Sequence, residues 1–382
     1  MSNLKVSRRE ALGSVAGLIA GPGLSGVEGP GLSAVEGPGL SGVEGPGLSA
    51  VEGPSLARGQ VAKGTPPPRR PPRDELVNAL EFEDVAKLML PAAVYSTIAG
   101  SDRAAFDRIT FRPRMLVPTL DLDLSVDLFG EKHLAPILVG PVAEQRQYHA
   151  EGELATVRGA SAAKTGVIVS SRSSVPIAEI AAQAKTPLWY SVYAADASAR
   201  KQVDQAIAAG CKVVCVTVGA SLDAGRATSK VPADWKAVDR IRQGLDLPIV
   251  IKGVMTPEDA NAAIAQGARG IVVSNHGGVV AGRAPLEVLA SIVDLVGAKI
   301  TVLVDGSFRR GTDILKALVF GAQAVLLARP VMWGLAAYGA EGVQSVIELL
   351  QTTLGRNFGM IGAPNLKSLN RAMVKVHAER KT

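Results

Sequence analysis

Two residues whose side chains can transfer or stabilise charge follow neighbouring apolar runs in the second half of the chain. Lys252 ends the run LPIVIK, and His276 lies in SNHGG directly after GIVV, where glycines leave space beside the imidazole ring. A neutral imidazole can take a proton from a substrate, and a buried ammonium can stabilise a negative charge that develops nearby. The two residues predict proton-abstraction chemistry. The alternatives are a structural salt bridge for Lys252 and a structural role for His276.

Arginines and glycines follow the last two apolar runs, in DGSFRRG at 305–311 and ARP at 328–330. Glycine allows backbone N–H groups to approach an anion, and Arg309 and Arg329 can form charge-assisted hydrogen bonds with it. These segments predict a phosphate site, unless Arg309, Arg310 and Arg329 are ordinary surface arginines. A phosphate site together with the lysine and the histidine predicts a phosphate-bearing cofactor with proton abstraction beside it.

The elements that must position these residues alternate regularly along the chain. Short apolar runs lie at 136–139, 167–170, 188–192, 213–218, 249–252, 270–274, 301–304 and 324–327. Segments with amphipathic helical spacing lie between them, at 151–163, 176–184, 197–209, 233–242, 257–266, 285–296 and 310–320. Eight strands rich in β-branched residues and alternating with helices predict an α/β fold, a (β/α)8 TIM barrel, rather than a doubly wound sheet.

Polar residues gather at the carboxyl ends of the predicted strands, where barrel enzymes place their chemistry. In chain order they are Ser170, Ser171, Ser191, Tyr193, Thr217, Lys252, Ser274, Asn275, His276, Asp305, Gly306 and, with Ala328 before it, Arg329. A chance scatter would not select the same end of nearly every strand. The distribution therefore favours an active site at this end of the barrel.

Composition excludes several classes of protein. The 382 residues are 47% hydrophobic and 20% charged, which suits a large globular domain and excludes fibrous, wholly disordered and disulfide-rich classes. The net charge is +6, but aromatic residues make up only 4%, so we expect no nucleic-acid partner. No apolar run reaches the roughly 20 residues of an integral membrane span. Cys211 and Cys215 are predicted to be buried strand residues, and no structural metal is expected.

The first 73 residues differ in composition from the rest. Residues 1–20 contain S-R-R-E-A-L-G before small apolar residues, which resembles a twin-arginine export signal. Residues 21–73 hold an eight-residue repeat, GPGLSGVE alternating with GPGLSAVE, and a proline-rich linker, PPPRRPPR. The repeat has too few apolar groups to offset its ordering entropy, so we expect a disordered low-complexity extension before a domain at 74–382. If residues 1–20 are a functional export signal, we expect the protein in the periplasm. If they are only a weakly ordered N-terminus, we expect it in the cytoplasm.

Longer motifs resemble a known family. They are FRPRML at 111–116, AEGELATVRGASAA at 150–163, VIKGV at 250–254, IVVSNHGG at 271–278, VDGSFRRGTDILKAL at 304–318 and ARPV at 328–331. In these motifs the chain resembles the FMN-dependent α-hydroxy-acid oxidases and dehydrogenases over about residues 82–377. The resemblance implies FMN as cofactor, a small-molecule substrate and a homo-oligomer, commonly a tetramer.

The resemblance also implies roles for individual residues. The implied flavin contacts are Val142, Ala143, Ser170, Ser191, Thr217, Lys252 and Ser274, and the implied phosphate and ribityl contacts are Asp305, Gly306, Arg309, Ala328 and Arg329. Lys252 would stabilise the reduced flavin ring, and His276 would be the base. Tyr193 matches an active-site tyrosine, and Arg226 matches an arginine beside the substrate carboxylate.

Four positions on the substrate side depart from the family pattern. Val279 stands where the family has its main carboxylate-binding arginine, and Gly219 where an aspartate pairs with the histidine. Thr97 replaces a tyrosine, and Arg172 replaces an aromatic residue. Arg172 or Arg283 is a candidate replacement for the missing arginine.

Three readings of the function remain open. In the first, the protein oxidises a 2-hydroxy acid to the 2-oxo acid and passes electrons through FMN to oxygen or another acceptor. In the second, a diverged flavoenzyme oxidises an amine or a modified peptide, which Val279 and Gly219 favour. In the third, the protein binds flavin without catalysis, which the presence of both Lys252 and His276 disfavours.

Overall fold

The computed structural model describes residues 69–100, 103–219, 234–277 and 283–378. The expected export signal and the octapeptide repeat therefore lie outside the described residues. So do Arg226 and Val279.

Short elements precede the barrel. They are α1 (Glu81–Met89), α2 (Ala92–Ser96), α3 (Ala104–Asp107), β1 (Ile109–Phe111), β2 (Val126–Leu128) and β3 (Glu131–His133). Strands β2 and β3 pair as an antiparallel hairpin. These strands have three residues each, which is too short for an alternating pattern to predict them.

Eight parallel strands form a closed barrel, which confirms the predicted fold. In chain order they are β4 (Ile137–Val139), β5 (Gly166–Ser170), β6 (Leu188–Tyr193), β7 (Val213–Thr217), β8 (Ile249–Val254), β9 (Gly270–Val273), β10 (Thr301–Asp305) and β11 (Ala324–Leu327). Consecutive strands are neighbours, and β11 pairs with β4 to close the ring. A last strand, β12 (Val374–Val376), pairs with β1 outside the barrel.

Helices follow the barrel strands as predicted. They are α4 (Glu153–Ala162), α5 (Ile177–Gln183), α6 (Ala199–Ala208), α7 (Trp235–Arg242), α8 (Pro257–Ala265), α9 (Pro285–Val296), α10 (Gly311–Val319) and α11 (Arg329–Ile361). The side chains of Asp234 and Thr256 accept backbone hydrogen bonds at the starts of α7 and α8, as N-caps do. The long helix α11 was not among the predicted helices, and its helical geometry is interrupted at Tyr338 and Gly339.

The barrel interior is packed at its amino end and open at its carboxyl end. The indole of Trp189 fills the amino end, where its Nε1 donates to Glu131 at 2.9 Å and its ring lies 5.5 Å from that of Phe129. The β2–β3 hairpin supplies both partners and so covers this end. Cys211 and Cys215 are buried, as predicted, but only Cys215 is a strand residue, because β7 begins at Val213. Burial raises the pKa of the Cys215 thiol to about 11.

The proline-rich segment packs on α11 where that helix is interrupted. The Arg70 guanidinium donates to the Ala337 carbonyl at 3.0 Å and lies 4.9 Å from the centre of the Tyr338 ring. The Tyr338 hydroxyl donates to the Pro71 carbonyl at 2.6 Å. An interrupted helix leaves carbonyl groups without helical partners, and Arg70 satisfies one of them. Among the described helices, none is both long enough and apolar enough to cross a membrane.

Candidate active site

A cavity of about 610 Å³ opens at the carboxyl end of the barrel. The predicted site residues that line it are Val142, Ala143, Arg172, Ser191, Tyr193, Thr217, Lys252, His276, Asp305, Gly306, Arg309, Ala328 and Arg329. Ser170 and Ser274 are buried beneath its wall and hydrogen-bond to residues of that wall. Arg226 lies outside the described residues. A volume of this size is typical of cofactor and substrate sites, roughly 300–1,000 Å³.

The closed strand order fixes which residues face each other across the cavity. In a ring of eight strands, those four positions apart lie opposite one another, so β4 faces β8, β5 faces β9, β6 faces β10 and β7 faces β11. Lys252, on β8, is therefore opposite the loop after β4. His276, after β9, is opposite Arg172, which follows β5. The arginines after β10 and β11 are opposite Ser191 and Thr217.

Arg309 and Arg329 converge at one end of the cavity. Both guanidinium groups donate to the Gly100 carbonyl, at 3.0 Å and 2.8 Å. Arg309 is 3% exposed, and its Nε has no hydrogen-bond partner among the described residues. Burial, together with the charge of Arg329, lowers the pKa of Arg309 to about 9, so the group is still a cation at neutral pH. Two close cations with an unused donor form a site for an anion.

Lys252 lies in a buried polar cluster. Its Nζ donates to Ser274 Oγ at 3.1 Å and pairs with Asp305 Oδ2 at 3.2 Å. The lysine side chain is 7% exposed and the aspartate side chain 18% exposed. The salt bridge considered from the sequence is therefore present, but it lies in the cavity wall. A buried ammonium held in place in this way can stabilise negative charge on a bound group.

His276 lies in a notch formed by two glycines. Its backbone has a positive φ of 55°, and its Nε2 is 2.8 Å from the Val218 carbonyl oxygen. A Cβ at Gly219 would lie 3.1 Å from Nε2, and a Cβ at Gly253 would lie 2.8 Å from it. Burial, and then the charge of Lys252, lower the pKa of His276. The imidazole is therefore neutral at neutral pH and can act as a base.

Arg172 and Tyr193 form a stacked pair on the cavity wall. The guanidinium carbon of Arg172 is 4.2 Å from the centre of the Tyr193 ring, a distance at which a cation and an aromatic face attract. From the sequence, Arg172 was predicted to bind the substrate and Tyr193 to be a catalytic tyrosine. Arg283, the other candidate replacement, donates to the Glu287 carbonyl at 3.1 Å and is not part of the described cavity lining.

The cavity wall also contains polar residues that the sequence analysis did not identify. They are Ser96, Glu144, Gln147, Tyr148 and Ser307. Glu144 and Ser307 have positive φ angles of 49° and 57°, which are uncommon for non-glycine residues. The sequence could have identified Glu144 and Ser307 by their positions directly after β4 and β10, since loops at the carboxyl ends of barrel strands carry function.

The residues present fit FMN. The unused Nε of buried Arg309 and the neighbouring Arg329 suit a phosphate group. The hydroxyls of Ser191 and Thr217, 3.2 Å apart, lie on the opposite wall and offer hydrogen bonds to a polar ring edge. Lys252 and Asp305 lie among these groups. The phosphate of FMN fits the arginine end of the cavity, and its flavin ring fits the space beside Lys252 and the hydroxyls of the opposite wall.

Comparisons with known proteins agree with this geometry. The model of the FMN-dependent dehydrogenase family matches residues 92–232 and 223–376. The chain is 35% identical to 4-hydroxymandelate oxidase of Amycolatopsis orientalis over 352 residues, which are 78% of this chain and 98% of that protein. It is 34% identical to L-lactate oxidase of Nostoc sp. over 356 residues, covering 78% of this chain and 98% of the other.

A solved structure of mandelate oxidase with (S)-2-phenylpropionate superposes with a TM-score of 0.74 at 35% identity, covering 80% of this chain and all of that one. The similarity therefore extends over the whole barrel and includes the strand ends that carry the site. The chain belongs to the FMN-dependent dehydrogenase family, and it is an oxidoreductase whose cofactor is FMN.

Proposed function

We propose that the protein oxidises a 2-hydroxy acid to the corresponding 2-oxo acid, with His276 as the base. The observation that carries this proposal is the presence of neutral His276 and the buried cation Lys252 in one cavity whose far end is an anion site. The relatives named 4-hydroxymandelate oxidase and L-lactate oxidase support the substrate class. Family members share the cofactor, so the substrate side decides the reaction.

The cofactor contacts follow from the cavity walls. Arg309 and Arg329 would hold the phosphate of FMN, with Gly306 and Ala328 at the same strand ends, and Asp305 beside the ribityl chain. Val142 and Ala143 would contact the ring through their backbone, and the hydroxyls of Ser170, Ser191, Thr217 and Ser274 lie on or beneath the walls that would surround it. When bound, FMN would accept two electrons and one of the two hydrogens that the substrate loses, and His276 would take the other as a proton.

His276 would take one proton from the substrate. A carbonyl oxygen only accepts hydrogen bonds, so the 2.8 Å contact with Val218 requires a proton on Nε2 of the neutral ring. The basic lone pair is then on Nδ1. After proton transfer the ring is a cation, and its Nε2–H bond to the Val218 carbonyl becomes charge-assisted and stronger. Lys252 would stabilise negative charge on the cofactor side at the same time.

Arg172 and Tyr193 would bind the substrate carboxylate. The stacking of the two side chains limits the positions that the guanidinium can adopt, and a held guanidinium loses less entropy when it binds a carboxylate. Arg226 remains a second candidate for this role on the strength of the family resemblance. Tyr193 lines the same wall and can donate its hydroxyl hydrogen to a substrate oxygen.

A diverged substrate, such as an amine, is the second candidate function. Glu144 lines the cavity. A carboxylate there disfavours an anionic substrate and favours one with a cationic group. Gly219, which leaves His276 without a carboxylate partner at that position, favours the same reading.

Anaerobic mixing distinguishes the two functions. The full-length holoprotein would be mixed with glycolate, L-lactate and (S)-mandelate, and with primary amines, while the visible absorption band of oxidised flavin is followed. The hydroxy-acid proposal expects rapid bleaching by at least one hydroxy acid, lost in His276→Ala and kept in His149→Ala, because His149 does not line the described cavity. Bleaching by amines alone would establish the second function in its place.

Assembly and location are proposals from the sequence. We expect a homo-oligomer, since members of the FMN-dependent dehydrogenase family are commonly tetramers. Light scattering would detect it by its mass. Export through the twin-arginine-type signal would be detected in the periplasmic fraction and would be abolished by replacing Arg8 and Arg9 with lysine. A protein found only in the cytoplasm would exclude the signal.

A further inference from the structure

One wall of the cavity carries a hydroxyl pair that the proposed proton transfer and cofactor contacts do not use. Thr97 follows α2, Tyr148 lies in the loop after β4, and both line the cavity. The Tyr148 hydroxyl and Thr97 Oγ1 are 3.0 Å apart although the residues are 51 positions apart in the chain. Tyr148 is 7% exposed and belongs to the hydrophobic core cluster, so packing holds its phenol ring in place.

The hydrogens of this pair can be assigned from its neighbours. Thr97 Oγ1 also lies 2.7 Å from the Val94 carbonyl, to which it donates its one hydrogen. Tyr148 is therefore the donor to Thr97. Within the described ranges Thr97 is the one hydrogen-bond partner of the Tyr148 hydroxyl. If Thr97 turns its hydrogen from Val94 to the phenol oxygen, the Tyr148 hydrogen becomes available to an oxygen in the cavity.

Burial raises the pKa of Tyr148, and the hydrogen bond with Thr97 offsets part of that rise. The phenol is therefore protonated at neutral pH and remains a hydrogen-bond donor. A packed hydroxyl whose one described partner can turn its own hydrogen toward it can donate to a ligand without leaving either oxygen unpaired.

The position of Tyr148 suits the substrate. Strands β4 and β5 are neighbours, so the Tyr148 loop lies next to the turn that carries Arg172, and the Glu144 amide donates to the Arg172 carbonyl at 2.9 Å. We propose that Tyr148, whose ring is held by packing beside Thr97, donates a hydrogen bond to an oxygen of the substrate and so determines part of the substrate specificity. The inference rests on the proposed 2-hydroxy-acid oxidation.

The test compares three variants of the full-length holoprotein. Tyr148→Phe removes the donor, and Thr97→Val removes its internal acceptor. Tyr95→Phe is the matched control, because Tyr95 lies on α2, its hydroxyl bonds to Glu83 at 3.3 Å, and it does not line the described cavity. Pyruvate and benzoylformate serve as unreactive probes, and their Kd values are titrated through the flavin absorption band. Turnover of glycolate, L-lactate and (S)-mandelate is measured in parallel.

We expect Tyr148→Phe to raise the Kd of the bound probe by about tenfold or more, because a hydrogen bond to a charged group is lost. The KM should rise with it, with a smaller change in kcat. Thr97→Val should bind the probe within about threefold of the wild type, since Tyr148 keeps its hydrogen and loses a competing acceptor. Tyr95→Phe should match the wild type.

In one outcome, the wild type oxidises a hydroxy acid while Tyr148→Phe binds the probe, and turns over the substrate, with unchanged Kd and KM. That result would overturn this inference and leave the proposed function in place. Equal weakening in Tyr95→Phe would also overturn it, because the effect would then come from α2 and not from the cavity. A wild type that oxidises no hydroxy acid and binds no 2-oxo acid would overturn the proposed function and this inference together.

Discussion

Nε2 of His276 donates a hydrogen bond of 2.8 Å to the backbone carbonyl of Val218, at the point where the chain turns into Gly219. A backbone carbonyl cannot be protonated at ordinary pH and carries no net charge. It therefore fixes the tautomer of the ring and stabilises the imidazolium less than a carboxylate would. The absence of a side chain at Gly219 gives the imidazole the space to make this contact.

The pH dependence of catalysis should reflect this contact. The pKa of His276 is lowered from 6.5 by burial and by Lys252, while the bond to Val218 and the charge of Asp305 raise it in part. The base is active when neutral, so activity is lost as the pH falls through the lowered pKa, and the acidic limb of kcat/KM should lie below pH 6.5.

Gly219→Asp should move that acidic limb to higher pH by about one unit relative to Gly219→Asn, because a carboxylate near Nε2 stabilises the imidazolium. The asparagine variant is the matched control, since both side chains carry the same strain at a φ of 97° and differ only in charge. Profiles of kcat/KM against pH measure the difference. Coincident limbs in the two variants would contradict the role of His276 as the titrating base.

Lys252 should control the rate of flavin reduction. Lys252→Met removes a buried cation from the cluster with Ser274 and Asp305 and should slow anaerobic reduction about a hundredfold, the size of effect seen when one stabilising group is removed from a dry site. Lys252→Arg keeps the charge and should retain more activity. Stopped-flow absorbance measures both rates, and equal losses in the two variants would show that packing, and not charge, is responsible.

The arginine pair should discriminate FMN from riboflavin, which lacks the phosphate. Arg329→Met should weaken FMN binding about tenfold to a hundredfold, because charge-assisted hydrogen bonds to the phosphate are lost, and should leave riboflavin binding unchanged. Arg310→Met is the control, since Arg310 is exposed and does not line this cavity. Fluorescence titration of the apoprotein gives each Kd. Parallel weakening of both flavins would place Arg329 away from the phosphate.

The barrel was predictable because each strand is a short apolar run and most of the helices that follow the strands have amphipathic spacing. The site was predictable in part, because the parallel arrangement brings the carboxyl ends of all eight strands together, so Lys252 and His276 had to meet. The Thr97–Tyr148 contact was not predictable from the sequence, since it depends on how α2 lies over the loop after β4. Helix α11 was missed because many of its residues are buried, including Gly334 and Gly342, which gives no amphipathic pattern.

The contact between the proline-rich segment and α11 should stabilise the domain. Arg70→Ala removes both the hydrogen bond to the Ala337 carbonyl and the cation–π contact with Tyr338. An exposed contact of this kind contributes about 1 kcal/mol, so the Tm should fall by about 2 °C. Arg69→Ala is the matched control, because Arg69 is exposed and no contact of its side chain is described. Differential scanning calorimetry of the full-length protein measures both. If the two variants melt at the wild-type temperature, the segment before residue 74 is a linker with no part in the stability of the barrel, and the domain begins where its first helix does.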